Sequence, residues 1–438
     1  MRDILIISLV MFGCLAALRA PWIGILTWTW LSLMNPHRFT YGMAYDAPLA
    51  AAAAAATMLG LLITRDKVSP FKGSPVVFFL LFCFVMTMSW LAGINTDGDY
   101  PQWSKVMKVN LMIFVALALI NSKKNIIGLM WVVVGSLAVL GAKGGIFTLM
   151  SGGSYRVWGP PGSFIEDNNE FALALVMTVP LLRFLQLQSG HVWVRRALLA
   201  GMVLCAISAL GSHSRGALLA ISAMAVFLWL KGKNKAMTGV LLVVAAILLV
   251  SFMPAEWTSR MNTIDDYKQD ESAMGRINAW WCAWNIAWHY PLGVGFNPAR
   301  SDIFAVFAPV GNDVHAAHSI YFQVLGNHGF PGLITFLAMW IATWRNAAWL
   351  MREGRKRIET AWCADLGAMA QVSLIAYAVG GAFLSLAYFD LPYNLMLMIV
   401  CARVWVTKGG WSKDETSKSR WARMLGMDAR STPSVTAA

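Results

Sequence analysis

Residues 126–150 read IIGLMWVVVGSLAVLGAKGGIFTLM, a run of apolar and small residues in which Lys143 carries the single charge. A bilayer core about 30 Å thick needs about 20 apolar residues per helix, so this run predicts a membrane-spanning helix. The rest of the chain has the same character, because 58% of its 438 residues are hydrophobic and only 13% are charged. Soluble domains carry about 25% charged residues, and this composition therefore excludes a water-soluble enzyme.

Apolar runs of this kind predict eleven membrane spans. They cover residues 47–64, 74–93, 106–120, 126–150, 169–187, 197–212, 216–230, 236–252, 331–350, 366–388 and 391–406. A further apolar segment, 4–34, is broken at Pro21 and predicts either one long broken crossing or a helix pair. With a single crossing there, the sequence predicts an all-α polytopic membrane protein of about 12 transmembrane helices with both termini inside.

Lysine and arginine in the short loops orient these spans, since such residues accumulate on the cytoplasmic side. One set of alternate loops is rich in them, whereas the opposite short loops hold only Arg38, Lys105, Lys108, Arg156 and Arg215. The basic loops are therefore predicted to face the cytoplasm. Topology thus accounts for the net charge of +13, and we expect no nucleic-acid partner.

Four parts follow from this topology. Residues 1–252 are predicted to form an N-terminal bundle of about ten spans, and residues 253–330 a large outer loop with interfacial helices. Residues 331–406 are predicted to form C-terminal transmembrane helices, and residues 407–438 a basic, disordered cytoplasmic tail. Long loops in compact membrane proteins are usually functional, so we look for chemistry on the outer face.

The first outer segment with suitable residues reads RVWGPPGSFIEDNNEFA, at residues 156–172. Its glycines and prolines force an irregular turn before an acid–amide cluster that opens the next helix. That cluster consists of Glu166, Asp167, Asn168 and Asn169. Capping of the helix is one interpretation of these residues. Contact between Arg156 and a substrate is another.

The second segment, SHSRGALLA at residues 212–220, is a tight outer turn that contains Arg215. An arginine at membrane depth costs about 2.5–3.5 kcal/mol on insertion scales, so it normally has a partner or a task. Snorkelling to the lipid headgroups is the structural alternative. Because this face is otherwise poor in basic residues, we favour a functional role.

The third and fourth segments supply a further arginine and a histidine. Residues 275–297, GRINAWWCAWNIAWHYPLGVGFN, predict a tryptophan-rich helix in the membrane interface, headed by Arg276. Residues 318–332, HSIYFQVLGNHGFPG, place His318 just before a span, where an imidazole suits proton transfer near neutral pH. His315 and His318 also have the spacing of metal ligands on a helix, but the sequence offers no evident third ligand.

The lone charge Lys143 is a functional candidate by default, because a charged residue inside a membrane span usually has a task. A lipid phosphate or a nearby carboxylate could pair with its ammonium group.

Taken together, these motifs resemble the O-antigen ligase (WaaL) family and the superfamily around it. That superfamily includes O-antigen polymerases, protein O-oligosaccharyltransferases and exosortase-associated O-glycosylation ligases. The resemblance rests on His318 followed by Ser319, Gly329 and Gly332 at the family spacing, on the turn at Ser214, Arg215 and Gly216, and on the Arg276 segment that leads to Pro291, Leu292, Gly293 and Gly295. It covers residues 150–400 in motif order. Residues 156–172 are particularly similar to the exosortase-associated branch.

The resemblance implies a membrane glycosyltransferase of the GT-C-like class in the bacterial inner membrane. Such ligases need no metal or other cofactor and move a glycan from undecaprenyl pyrophosphate to an acceptor sugar hydroxyl, here on the lipid A–core oligosaccharide, at the periplasmic face. By similarity, His318 is the general base, and Arg215 and Arg276 bind the pyrophosphate. We expect further substrate contacts from a set of neighbouring residues: Lys143, Arg156, Asn169, Ser214, His315 and Tyr321. Membrane lipids complete the expected partners.

Three other functions remain open at this point. A transporter or flippase predicts charged positions spread through the membrane depth, whereas the charges here cluster on one face. A polymerase that joins lipid-linked chains needs two similar polyprenyl sites, which the sequence neither shows nor excludes. A scaffold that only binds partners gives no reason for basic groups on the outer face, where acidic residues such as Asp97, Glu166, Asp265 and Asp313 otherwise accumulate.

Overall fold

The computed structural model describes residues 2–231, 235–237, 239–240, 243–244, 247 and 271–412. Regular structure in these residues is helical throughout, with no strand among them. The first nine helices are α1 (Arg2–Arg19), α2 (Pro21–Met34), α3 (Leu49–Ile63), α4 (Ser74–Leu91), α5 (Thr96–Leu119), α6 (Lys123–Met150), α7 (Asn168–Gln188), α8 (Val192–Gly211) and α9 (Arg215–Lys231). After the undescribed segment come α10 (Glu271–His289), α11 (Ser301–Phe307), α12 (Ile320–Gly354), α13 (Ala361–Gly380) and α14 (Asp390–Thr407).

Seven segments of the described chain are long and apolar enough to cross a membrane. They are α4 to α8, α12 and residues Ile358–Phe383, which contain α13; α3 and Arg215–Leu230 in α9 are shorter apolar helices. The prediction of an all-helical, multi-pass membrane protein is confirmed. The number of about twelve spans stays a prediction. Most of the expected span at 236–252, the domain boundary at 252 and the tail after residue 412 lie outside the described residues.

The ambiguous first segment is a helix pair. Pro21, which lacks an N–H donor, opens α2 directly after α1 ends. The Asp3 carboxylate accepts a hydrogen bond from the backbone N–H of Ala44, 3.1 Å away, in the loop that follows α2. At the opposite end, Gly60 of α3 lies against Ala17 and Pro21 at the α1–α2 junction. The start of α1 therefore lies at the same end of the bundle as the loop between α2 and α3.

Helix α7 is central to the described bundle and is almost entirely buried. It packs against α6, α8, α9 and α13. Close approach between α6 and α8 depends on Gly141, Gly144 and Gly145, since a Cβ atom on Gly145 would lie 2.4 Å from the carbonyl oxygen of Leu204. Small residues allow such contacts between membrane helices. The glycines around Lys143 thus form a helix–helix interface, while the lysine itself is exposed.

Helix α12 begins at Ile320, about ten residues before the span predicted from the hydropathy at 331–350, and it is broken at Gly329. This glycine has φ 64° and ψ −166°, a conformation essentially restricted to glycine. Its neighbour Pro331 removes a further helix hydrogen bond. Because the helix is broken at Gly329, the apolar run at 331–350 corresponds only to its second half.

A loop between α10 and α11 docks against the break. The backbone N–H groups of Val294 and Gly295 donate to the carbonyl oxygens of Gly326 and Asn327. A Cβ atom on Gly329 would lie 1.9 Å from the carbonyl oxygen of Pro291. Glycine is therefore required at residue 329 both by its own backbone conformation and by this loop.

Gly329→Ala should lower the free energy of unfolding by about 3 kcal/mol or more, because it combines backbone strain with a clash against backbone atoms. Thermal unfolding of the detergent-purified variants measures this loss. The matched control is Gly135→Ala in α6, where a Cβ atom meets nothing within 4 Å and helix propensity favours alanine. An unfolding midpoint of Gly329→Ala equal to that of the wild type would contradict the packing described here.

Candidate active site

Segments far apart in the sequence meet around a cavity of about 250 Å³. We call it the arginine–histidine cavity. Its lining residues are Asp167 and Asn169 at the start of α7, Arg215 and Gly216 at the start of α9, Arg276 on α10, His318 just before α12, and Phe383 and Leu384 between α13 and α14. The three residues expected to carry chemistry, Arg215, Arg276 and His318, therefore line one cavity.

The start of α7 fixes one wall of this cavity. Asp167 is the N-cap of the helix, and its side chain accepts a hydrogen bond of 2.8 Å from the backbone N–H of Asn169. Asn168 is buried, and its side-chain amide donates to the carbonyl oxygen of Ser212 over 2.7 Å. Buried hydrogen bonds of this kind hold two segments in one relative position. The turn that carries Arg215 is thus tied to α7.

Hydrogen bonds of His213 and Ser214 stabilise the turn that carries Arg215. His213 adopts a positive φ of 58°, and its Nε2 atom lies 2.8 Å from the carbonyl oxygen of Gly153. Ser214 is buried, and its hydroxyl accepts a hydrogen bond of 3.2 Å from the backbone N–H of Ala217 in the first turn of α9. The turn therefore places Arg215, which is half-buried, at the cavity while Ser214 caps the helix.

His318 lies in the short segment that leads into α12. It has a positive φ of 41°, a conformation that few residues other than glycine adopt. The neighbouring carbonyl oxygen, of Ala317, accepts a hydrogen bond of 2.6 Å from the indole N–H of Trp280 on α10. The Trp280 indole also stacks on Phe322, with ring centroids 5.1 Å apart. The helix that carries Arg276 is therefore packed directly against the segment that carries His318.

Two opposite charges act on the imidazole of His318. Burial lowers its pKa from the usual value, and the nearby guanidinium of Arg276 lowers this pKa further, whereas Asp167 acts to raise it. The net shift is downward, so His318 is neutral and able to accept a proton at neutral pH.

Asp167 is the carboxylate whose charge acts on this imidazole. Burial acts to raise the pKa of Asp167, but hydrogen bonds with Glu170 and Asn169 and the field of His318 bring it below its ordinary value. The sequence identified Asp167 as part of a capping cluster and did not link it to the histidine. Residues so far apart in the sequence cannot be recognised as neighbours from the sequence alone. For the same reason, the sequence did not place Phe383 and Leu384 at this cavity.

The remaining predicted site residues lie at different distances from this cavity. Asn169 lines it and donates a side-chain hydrogen bond of 2.8 Å to Asp167. His315 pairs with Asp313 over 2.7 Å and contributes to the lowered pKa of His318. The Tyr321 hydroxyl donates to the carbonyl oxygen of Ala378 over 2.8 Å, and its ring lines a separate apolar groove.

That groove lies between α12 and α13 and has a volume of about 250 Å³. Its walls consist of Ile320, Tyr321, Leu337, Trp340, Ile341, Trp344, Leu374, Ile375, Tyr377 and Ala378. The first of these residues, Ile320, lies two positions after His318 in the sequence. An apolar groove thus follows directly on a cavity lined by charged groups.

Lys143 and Arg156 line neither of these. They line a third space, of about 270 Å³, together with aromatic residues that include Phe39, Phe147, Trp158 and Phe171. We call it the lysine–arginine cavity. It shares no lining residue with the arginine–histidine cavity. The structure therefore divides the predicted substrate-binding residues between two places.

Comparison with known families gives the class of protein. Residues 200–337 match the family model described as O-Antigen ligase, a range that contains Arg215, Arg276 and His318. The resemblance identified from the sequence is confirmed, and the match supports membership of the O-antigen ligase/polymerase superfamily, whose substrates in general are lipid-linked glycans. Residues 1–189 match a second model, described as a family of unknown function. A search of curated proteins found no match.

Proposed function

We propose that this protein is an O-antigen ligase of the bacterial inner membrane. It transfers a polysaccharide en bloc from undecaprenyl pyrophosphate to a sugar hydroxyl of the lipid A–core at the periplasmic face. The observation that carries the proposal is the meeting of Arg215, Arg276 and His318 around one cavity, within the segment that matches the ligase family.

The two arginines suit the pyrophosphate of the donor. A guanidinium presents a planar fork of N–H donors that binds phosphate oxygens bidentately, and it stays charged at any relevant pH. Because Arg215 and Arg276 line the same cavity, both can face one pyrophosphate. They also stabilise the negative charge that builds on this group as it leaves, the role that divalent metal ions fill in other glycosyltransferases. The proposed reaction needs no metal.

His318 serves as the general base. Its neutral imidazole takes the proton of the acceptor hydroxyl while the oxygen forms a bond to the anomeric carbon of the donor sugar. The bond between that carbon and the phosphate oxygen breaks, and undecaprenyl pyrophosphate leaves. A single displacement of this kind inverts the configuration at the anomeric carbon.

Asp167 supports this step without touching the reacting atoms. As His318 takes up the proton, its imidazole becomes a cation, and the neighbouring carboxylate stabilises that charge. Asp167 is therefore a positioning residue. It also counters Arg276, whose guanidinium opposes protonation of the histidine.

The apolar groove beside Tyr321 suits the polyprenyl tail of the donor. Its lining is almost wholly hydrocarbon and aromatic, and it lies on α12 and α13, two segments able to cross a membrane. A lipid tail in this groove places its pyrophosphate near the start of α12, where His318 lies.

A second candidate reaction differs only in its acceptor. Residues 156–172 are particularly similar to the exosortase-associated ligases, and this segment lines the two charged cavities. In this candidate, a protein serine or threonine hydroxyl takes the place of the lipid A–core sugar. The product identifies the acceptor.

Reconstitution tests the proposal directly. Purified protein incubated with undecaprenyl pyrophosphate-linked glycan and lipid A–core, without divalent metal, should give glycosylated lipid A–core.

In this assay, His318→Ala should lower the rate of transfer by about 10²–10⁴-fold, the usual contribution of a general base. His289→Ala is the matched control, since this histidine is exposed at the end of α10, and the variant should retain full activity. A His318→Ala variant with wild-type activity would remove the assigned base, and transfer only between lipid-linked glycans would identify a polymerase.

Arg215→Lys should reduce transfer severely, by about 100-fold, because a point charge does not reproduce the bidentate fork. The same assay measures it. Arg300→Lys provides the control. Arg300 forms an ion pair of 2.6 Å with Asp302 and does not line the arginine–histidine cavity. Full activity of Arg215→Lys would instead favour simple snorkelling of Arg215 to the headgroups.

The pH profile tests the pairing of Asp167 with His318. Transfer needs neutral His318, so kcat/KM should fall on acidification with a midpoint below the ordinary histidine pKa of about 6.5. Asp167→Asn keeps the N-cap, because asparagine caps equally well, but removes the charge that raises the pKa of His318. The midpoint should therefore move to lower pH. Asp302→Asn, which removes a different outer carboxylate, should leave it in place; equal profiles for Asp167→Asn and the wild type would show that the pair is not coupled.

A further inference from the structure

The lysine–arginine cavity carries two cations that the proposed reaction does not use. Lys143 extends from α6, seven residues before the helix ends, which corresponds to about 10 Å along the helix axis. Its ammonium nitrogen lies 4.9 Å from the centroid of the Phe39 ring. Within the described residues it forms no ion pair. An exposed cation that packs on an aromatic ring and has no ion-pair partner in the described chain is well placed to bind an anionic ligand.

Arg156 supplies the second cation of this cavity. It is exposed, and it too forms no ion pair in the part of the chain that the structure describes. Next to it, Trp158 is 58% exposed and lines the same cavity. Indole rings with one exposed face are typical of the level of lipid headgroups. Cations and aromatic rings together suit a phosphorylated sugar or a lipid headgroup.

The first turn of α7 separates the two charged cavities. Phe171 faces the lysine–arginine cavity, whereas Asp167 and Asn169 face the arginine–histidine cavity. The two positively charged sites therefore lie on either side of the start of one helix. A single pyrophosphate in the arginine–histidine cavity has its own pair of guanidinium groups, so Lys143 and Arg156 are available to a second anion.

We propose that Lys143 and Arg156 bind a phosphate group carried by a lipid headgroup, and that this lipid is the glycan acceptor. The identification of the lipid rests on the proposed function. The cavity adjoins α6 at the membrane surface, and its cations would hold a phosphorylated lipid anchor while the glycan of that lipid extends over α7 to His318. An ordinary anionic phospholipid carries the same chemistry and is the alternative source.

Binding measured without any transfer reaction tests the site. Purified protein in phosphatidylcholine nanodiscs is titrated with lipid A–core, with its enzymatically dephosphorylated form and with phosphatidylglycerol. Each basic residue near a membrane surface contributes about 1 kcal/mol to such binding. Lys143→Gln/Arg156→Gln should therefore weaken binding of lipid A–core by about 30-fold and leave that of the dephosphorylated lipid unchanged. Lys108→Gln/Arg300→Gln, with the same loss of charge elsewhere on the predicted outer face, should bind as the wild type does.

The outcomes distinguish lipid A–core from an ordinary anionic phospholipid as the bound lipid. They also distinguish this binding site from the proposed transfer reaction. Preference for lipid A–core over phosphatidylglycerol supports the acceptor, whereas equal binding of both overturns the acceptor and leaves an anionic phospholipid site. Equal weakening in both double variants, or in neither, overturns the site altogether. In the transfer assay, Lys143→Gln/Arg156→Gln should raise the KM for phosphorylated acceptor at unchanged kcat. Absence of transfer by the wild-type protein would contradict the proposed function but not the binding result.

Discussion

The break in α12 determines where the groups of the arginine–histidine cavity lie. At this break a buried chain of hydrogen bonds joins three segments. The His328 ring bonds through Nδ1 to the hydroxyl of Ser89 in α4 and through Nε2 to the hydroxyl of Tyr388. Ser89 in turn donates to the carbonyl oxygen of Asn327, and the side-chain amide of Asn327 donates to Tyr388. The loop after α10 binds to the same turn through its backbone. Since His318 precedes α12 and Arg276 lies on α10, their relative position depends on this connection. A buried network of this kind holds the three segments together, because breaking one of its hydrogen bonds leaves a polar group without water.

Opposed charges then set the chemistry of the arginine–histidine cavity. Two guanidinium groups suit a pyrophosphate, but that of Arg276 also makes a proton on His318 less stable. Asp167 moderates that effect from the cap of α7. The same carboxylate therefore caps the helix and acts on the protonation of His318.

Helix α7 connects the two charged cavities. Its body is buried among α6, α8, α9 and α13, and only its first turn reaches both cavities. A donor held by Arg215 and Arg276 and a lipid held by Lys143 and Arg156 would approach this turn from opposite sides. The close packing of α6 on α8 through glycines leaves Lys143 directed away from that interface, towards the second cavity.

The sequence by itself indicated the helical membrane class and the superfamily, and it singled out Arg215, Arg276 and His318, which line one cavity in the structure. It could do so because a bilayer requires long apolar runs and charged side chains near it are few. It did not separate Lys143 and Arg156 from the arginine–histidine cavity, pair Asp167 with His318, or locate Phe383 and Leu384. It also left the first segment open between a single crossing and a helix pair. Those features were decided by the tertiary structure, since they depend on contacts between helices far apart in the chain. Hydropathy and spacing describe one segment at a time, whereas packing decides which faces of the segments meet.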